Sequence, residues 1–309
     1  MPATLRWGAV LVVLTGCLLA GGTAARADPP AGTVYVSGAT LTFEPGSGVA
    51  NDVDVDPVLV GAAERYRIVD LAAPVVAGEG CTQDGDHTVH CDPTDLVYFA
   101  AELGDENDIL GVRGTLRSTV EGGGGGDRIE GGSGNDTLYG GDGSDTLDGW
   151  SGDDLLLGGN GDDLLIGGFG HDLLIGGLGA DTTHGGSGTD TVSYESHSVG
   201  VTVDLDGQAA DDGAPGEGDT IGSTVENLTG SPESDWLSGN GATNVMVGAG
   251  GDDTVVGGPG SDRLYGDEGF DTLIGDDPPP SGRTPPVLDW DLCFVGPGGA
   301  VTVGCEKVR

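Results

Sequence analysis

The chain has 309 residues, among them 63 Gly and 16 Pro but only 5% aromatics, which excludes a large aromatic core and borders on low complexity where no period is present. Asp and Glu total 51 against 11 Lys and Arg, a formal net charge of −40; such a surface repels nucleic acid and anionic membrane, so neither is an expected partner. These figures alone would describe a disordered chain, but a strict internal period overturns that reading.

In chain order, the first residues read as a targeting segment. Arg6 gives a positive start, residues 7–20 carry no charge, and Ala25-Arg26-Ala27 is a small-x-small cleavage site ahead of Asp28. This is the pattern of a secretory signal peptide over 1–27, too short and wrongly flanked for a membrane span, and it predicts a secreted, extracellular protein. Leu14-Thr15-Gly16-Cys17 resembles a bacterial lipoprotein box. Because the apolar run continues past Cys17, cleavage after Ala27 is preferred over lipid anchoring at Cys17. No other stretch is apolar enough to span a bilayer.

Residues 28–121 read as a small N-terminal β domain or cap, with short strands at 33–37, 40–43, 66–69 and 96–99 separated by Gly, Pro and Asp. Within it, Gly104-Asp105-Glu106-Asn107-Asp108-Ile109 resembles a decayed turn. Beyond Cys17 four cysteines remain, and their even number in an exported chain favours disulfides Cys81–Cys91 and Cys293–Cys305, with the other connectivities open. His87, His90 and Cys91 are metal-binding residue types, but their spacing matches no strong zinc pattern, and a disulfide hairpin is the better reading.

From Gly122 to Ser193 the chain divides into eight blocks of nine: GGGGGDRIE, GGSGNDTLY, GGDGSDTLD, GWSGDDLLL, GGNGDDLLI, GGFGHDLLI, GGLGADTTH and GGSGTDTVS. The common form is G-G-x-G-x-D-x-U-x, with U large and apolar. Every block keeps its acid: Asp127, Asp136, Asp145, Asp154, Asp163, Asp172, Asp181 and Asp190. At U only Thr183 departs. A looser second array, 230–274, supplies Asp235, Asp253, Asp262 and Asp271, with Asn244 in the acid's place. The 36 residues between the arrays, 194–229, are four nines long, so the insert keeps phase and can continue the coil with altered turns. Residues 275–309 complete the chain as a linker holding five prolines over 276–286 and a disulfide-closed tail, 293–305, expected to cover the roll's open end.

Each block is turn-like over six residues and strand-like over three. Glycines admit positive φ in the turn, while x-U-x forms a short strand with U inward and its neighbours outward. Two blocks then complete a coil of two facing sheets, and alternate blocks stack about 4.8 Å apart. The acids stack with them. Two unit charges at that distance repel by about 1 kcal/mol even in bulk water. A hard divalent cation between turns reverses the sign. Calcium, which takes six to eight oxygens from carboxylates and carbonyls, suits the site better than magnesium. The twelve Asp are the candidate ligands, and up to about nine calcium ions are expected.

The nonapeptide resembles that of the RTX, or haemolysin-type, calcium-binding repeat proteins. The resemblance implies an all-β fold, a parallel β-roll with calcium between its turns, and folding on meeting extracellular calcium. RTX toxins typically leave the cell by a C-terminal signal, whereas this chain opens with a secretory one, so the toxin-type export route does not carry over.

Blocks four to six have apolar outward positions, and Leu155, Leu157, Leu173 and Ile175 should share one face, covered by the insert or by a partner: a second copy or a cell surface. There is no H-E-x-x-H, G-x-S-x-G or P-loop, so no catalytic residue is assigned. The expectation is a non-catalytic secreted calcium-binding protein, structural or adhesive. The alternative is a polysaccharide-acting enzyme or lyase with a cleft in 28–121 or 194–229.

Overall fold

The computed structural model of the protein describes residues 32–46, 48–60, 63–92, 96–275, 291–305 and 307–308. The signal segment 1–27 with Cys17, and the proline-rich stretch 276–286, lie outside the described residues.

Among the described residues every regular element is a β-strand, in sheets of fourteen, ten and five strands. The three strand-like positions of a block form strands such as Arg128–Glu130 and Thr146–Asp148, whose middle residue alone is buried. Successive blocks alternate between two sheets. Thr137, Leu155, Leu173 and Thr191 pair in parallel along the larger sheet, and Arg128, Thr146, Leu164 and Thr182 along the ten-stranded one. Residues 18 apart are therefore neighbours, as in the Asp127–Asp145 pair. The U side chains Ile129, Leu138, Leu147, Leu156, Leu165 and Leu174 are fully enclosed and belong to one continuous core that runs from Val34 to Cys293. This is a parallel β-roll, as the period requires.

The N-terminal segment is the beginning of the roll. Gly32–Ser37 and Thr40–Pro45 form a hairpin, and Thr40–Pro45 runs parallel to Tyr98–Gly104, itself paired with Arg117–Gly124. On the other side Asp52–Val60 lies between Ala63–Asp70 and Ile109–Val112, and the latter pairs with Arg128–Glu130. Asp52–Val60 escapes a reading by pattern because three acids punctuate it. Its alternation nevertheless buries Val53 and Val55, while Asp56 accepts hydrogen bonds from Arg67 at 2.6 Å and Arg113 at 2.9 Å.

The insert stays in the coil. Asn227–Thr229 pairs in parallel with Thr191–Ser193, and Thr220–Ile221 pairs with Thr182–Gly188 at the end of the ten-stranded sheet. Thr202–Asp204 opens the five-stranded sheet, which Trp236–Ser238 and Thr254–Val256 continue. Its strands are thus absorbed in the sheets and do not lie across the apolar face. On that face Leu155 pairs with Leu173 and Leu157 with Ile175, all half-buried. At the far end Leu292–Phe294 and Ala300–Val303 extend the two sides of the roll, and Tyr265 stacks on Phe294 with ring centroids 4.3 Å apart. Disulfides join Cys81 to Cys91 and Cys293 to Cys305. His87 Nδ1 lies against the carbonyls of Asp70 and Ala73, so with Cys91 in a disulfide the segment 87–91 has no thiolate to offer a metal.

Candidate metal centre

The block acids are turned into the roll. All twelve sequence-identified Asp are at most 5% exposed, although carboxylates are rarely buried without a partner. What holds them there is the neighbouring coil. The amide of Asp127 donates to Oδ1 of Asp145 at 2.7 Å, Asp145 in turn to Asp163 at 2.7 Å, and Asp163 to Asp181 at 2.9 Å. Along the other edge Ser118 donates to Asp136, Asp136 to Asp154, Asp154 to Asp172, and Asp172 to Asp190. In the second array Asp235 donates to Asp253 and Asp253 to Asp271, while Asn244 donates to Asp262.

The second oxygen is different. Oδ2 of Asp127, Asp136, Asp145, Asp154, Asp163, Asp172, Asp181, Asp190, Asp253 and Asp271 is buried and has no hydrogen-bond partner. The space beside it is shaped by the first glycine of each block. A Cβ on Gly131 would stand 2.5 Å from Asp136 Oδ2. A Cβ on Gly140 would collide with Asp145 Oδ2 and with the carbonyl oxygen of Gly158, one coil on, at 2.6 Å. Gly149 and Gly167 repeat this arrangement with Asp154 and Asp172. The fourth glycine meets a separate demand: Gly143 has φ +138° and packs on the carbonyl of Gly125.

Burial disfavours charge on this row. It raises the carboxyls of Asp127, Asp136 and Asp172 to about 6, of Asp163, Asp181 and Asp253 to about 7, and of Asp154 to about 8. The amide bonds oppose the shift and neighbouring carboxylates add to it. Buried oxygens without donors, in an all-oxygen setting of carboxylates and glycine carbonyls, fit a hard divalent cation of calcium's type.

Two sequence-identified positions depart from the pattern. Asp235 has both oxygens occupied, Oδ1 by the amide of Val201 and the hydroxyl of Ser231, Oδ2 by the amide of Ser231 at 2.6 Å. Asn244 satisfies itself: Oδ1 accepts from the amide of Asn240, and Nδ2 donates to the carbonyl of Glu226 at 2.6 Å. Conversely, four acids outside the assigned positions join the ladder. Asp108 donates its amide to Asp127, Asp181 to Asp219, Asp190 to Glu226 Oε2, and Asp262 to Asp291. The signal for Asp108 was the decayed turn around it; for Glu226 it was the insert's phase, since Glu226 falls 36 residues after Asp190. Asp219 and Asp291 had none.

Fold and site together define an acid-laddered parallel β-roll of nonapeptide coils. The RTX calcium-binding nonapeptide repeat matches the chain in four copies, at 121–156, 157–192, 220–255 and 256–277, and the chain is an RTX-repeat protein. Such repeats bind calcium. The third copy begins at residue 220, inside the segment between the two sequence arrays, where the strands rejoin the coil. No curated protein matches the chain. No helix among the described residues is long and apolar enough to cross a membrane.

Proposed function

We propose that the protein is a secreted, non-catalytic calcium-binding protein whose roll folds on extracellular calcium, with a structural or adhesive role. One observation supports this above all: ten buried carboxylates each fixed through Oδ1, their Oδ2 lacking any donor. Calcium held by the row of block Asp and the adjoining glycine carbonyls supplies the positive charge that allows the row to ionise in place. In calcium-poor cytosol the same row opposes closure and keeps the chain open for export; outside, at about 0.1–1 mM calcium, it closes. The organisation we assign is a signal peptide over 1–27, an N-terminal β segment over 28–121, repeat arrays over 122–193 and 230–274 with 194–229 between them, and a disulfide-closed end over 275–309. The Leu155, Leu157, Leu173 and Ile175 face is the surface we assign to self-association or to a cell-surface partner.

The alternative, an enzyme acting on polysaccharide, would use the shallow depression lined by Asp211, Asp212 and Glu217, where burial raises Asp212 to about 7. Against it, Asp212 accepts the amide of Asp204 on Oδ1 and that of Ile221 on Oδ2, so both oxygens serve the backbone. Calorimetric titration of the demetallated mature chain tests the main reading. It predicts binding of several calcium ions, up to about nine, coupled to a gain of β-structure. Absence of binding heat would refute it. N-terminal sequencing of the exported protein should begin at Asp28.

A further inference from the structure

Outside the nonapeptide blocks, three enclosed side chains of the N-terminal segment have oxygens without a donor: Asn51 Oδ1, Asp70 Oδ2 and Asp108 Oδ2. The residues are 2%, 0% and 1% exposed. Asp108 Oδ1 accepts the amide of Asn51 at 2.5 Å and its Nδ2 at 2.9 Å, and Nδ2 donates again to the carbonyl of Val49. With the amide nitrogen of Asn51 engaged, only its oxygen is left over. Asp70 Oδ1 accepts the amides of Asp52 at 3.2 Å, Ala72 at 2.9 Å and Ala73 at 3.0 Å. Asn51 and Asp52 are consecutive, so the two carboxyl groups are anchored on adjacent main-chain amides. In register Val53 lies opposite Asp70 and Asp52 opposite Ile109, so the two acids stand on either side of the same end of Asp52–Val60.

Among the described residues no ion pair reaches Asp70 or Asp108. Of the arginines of this segment, Arg67 and Arg113 are engaged by Asp54 and Asp56 and Arg65 by Asp92. Two buried carboxyl oxygens and an amide oxygen, all without donors, are costly unless a cation joins them. Three oxygen donors of this kind suit a hard ion, and calcium's irregular shell accepts them more readily than magnesium's octahedron.

We infer that Asn51, Asp70 and Asp108 form a further calcium site that fastens the N-terminal strands to the first coil of the roll. The identity of the ion rests on the calcium reading of the ladder. Asp70 itself has no place in the ladder, since it ends the antiparallel strand Ala63–Asp70. Asp108 belongs to both, because its amide donates to Asp127 Oδ1 at 2.8 Å. The site therefore couples the folding of the non-repetitive segment to the same ion that closes the repeats.

The test is an ion count on the intact mature chain by native mass spectrometry in calcium, for the wild type and Asp70→Asn, together with anomalous scattering from wild-type crystals grown in calcium. Asp70→Asn keeps an oxygen for the three amides and removes the charge. It should bind one ion fewer while the repeats still fill, and the anomalous map should show a peak between Asn51, Asp70 and Asp108. Equal counts in the two proteins, or a map with peaks along the ladder and none here, would overturn the site and leave the ladder standing. A wild type that binds no calcium would instead remove the ladder reading and this site's ion with it. The map requires no variant, so a substitution that impairs folding leaves the question decidable.

Discussion

The main-chain amide of Asp154 donates to Oδ1 of Asp172, one coil and 18 residues further along, at 2.9 Å. The same bond recurs down both edges of the first array. A side chain from each coil thereby completes the backbone of the coil before it. A carboxylate that moved to meet an ion would break this bond, so each ligand oxygen is presented only where the coil is already formed. On the calcium reading proposed above, ion binding and coil formation are one event.

The first glycine of a block should be as necessary as its acid. Gly131 is not in the left-handed region, yet a Cβ there would stand 2.5 Å from Asp136 Oδ2. Gly131→Ala should displace the carboxylate and raise the calcium midpoint of folding about as much as Asp136→Asn, on the order of tenfold for one lost charged ligand. Circular dichroism titration of the two variants against the wild type checks this. A wild-type midpoint for Gly131→Ala would show that the acid does not work from that position.

Asn244 marks a rung that needs no ion, because its Nδ2 supplies the donor to the Glu226 carbonyl. Asn244→Asp replaces that donor with a charge. Without calcium it should cost about 1–3 kcal/mol, the usual penalty for a buried group left unpaired. In calcium it should recover much of the loss and add an ion to the count. Denaturant melts with and without calcium measure both effects.

Thr183 occupies the U position of its block, 1% exposed, and its hydroxyl has no hydrogen-bond partner. Its sheet neighbours at the same level are Leu165 and Ile221. Thr183→Val keeps the shape and removes the buried hydroxyl, so it should stabilise the roll by about 1–2 kcal/mol, both with and without calcium. Thermal melting under the two conditions reads the change; a loss of stability would mean that the hydroxyl has a role there.

The pH response should change sign with the metal. In the metal-free roll, burial lifts Asp136 and Asp172 to about 6, Asp163 and Asp181 to about 7 and Asp154 to about 8, all from 3.8. The folded state then holds more protons than the unfolded chain across that window, so its stability falls as pH rises from about 4 to 8. Demetallated protein should gain β-structure on acidification from pH 8 to 5. With calcium the trend reverses, because the ion needs ionised ligands and its binding releases protons. Melting curves at several pH values in both buffers test the two slopes.

Most of the roll was legible because its chemistry repeats. A glycine that makes room for a carboxylate, an acid five positions on and an enclosed apolar residue two further recur at a fixed interval, and the interval dictates the coil. Legibility failed where the contact survives but the spacing does not. Asp108, Asp219 and Asp291 take ladder positions at separations of 19, 38 and 29 residues, none a multiple of the 18-residue coil. The strand Asp52–Val60 was hidden for another reason: Asp52, Asp54 and Asp56 look like turn acids, and only the arginines opposite Asp54 and Asp56 show that those two lie on the outer face of a strand.

The most direct test of the central claim is thermal melting of the mature chain, followed by far-ultraviolet circular dichroism, in rigorously demetallated buffer at neutral pH and again after calcium is restored. The account predicts a largely unfolded chain in the first case and a cooperative, strongly raised melting transition in the second, reversed by chelator. An identical β-spectrum and an unchanged melting temperature in both buffers would contradict it.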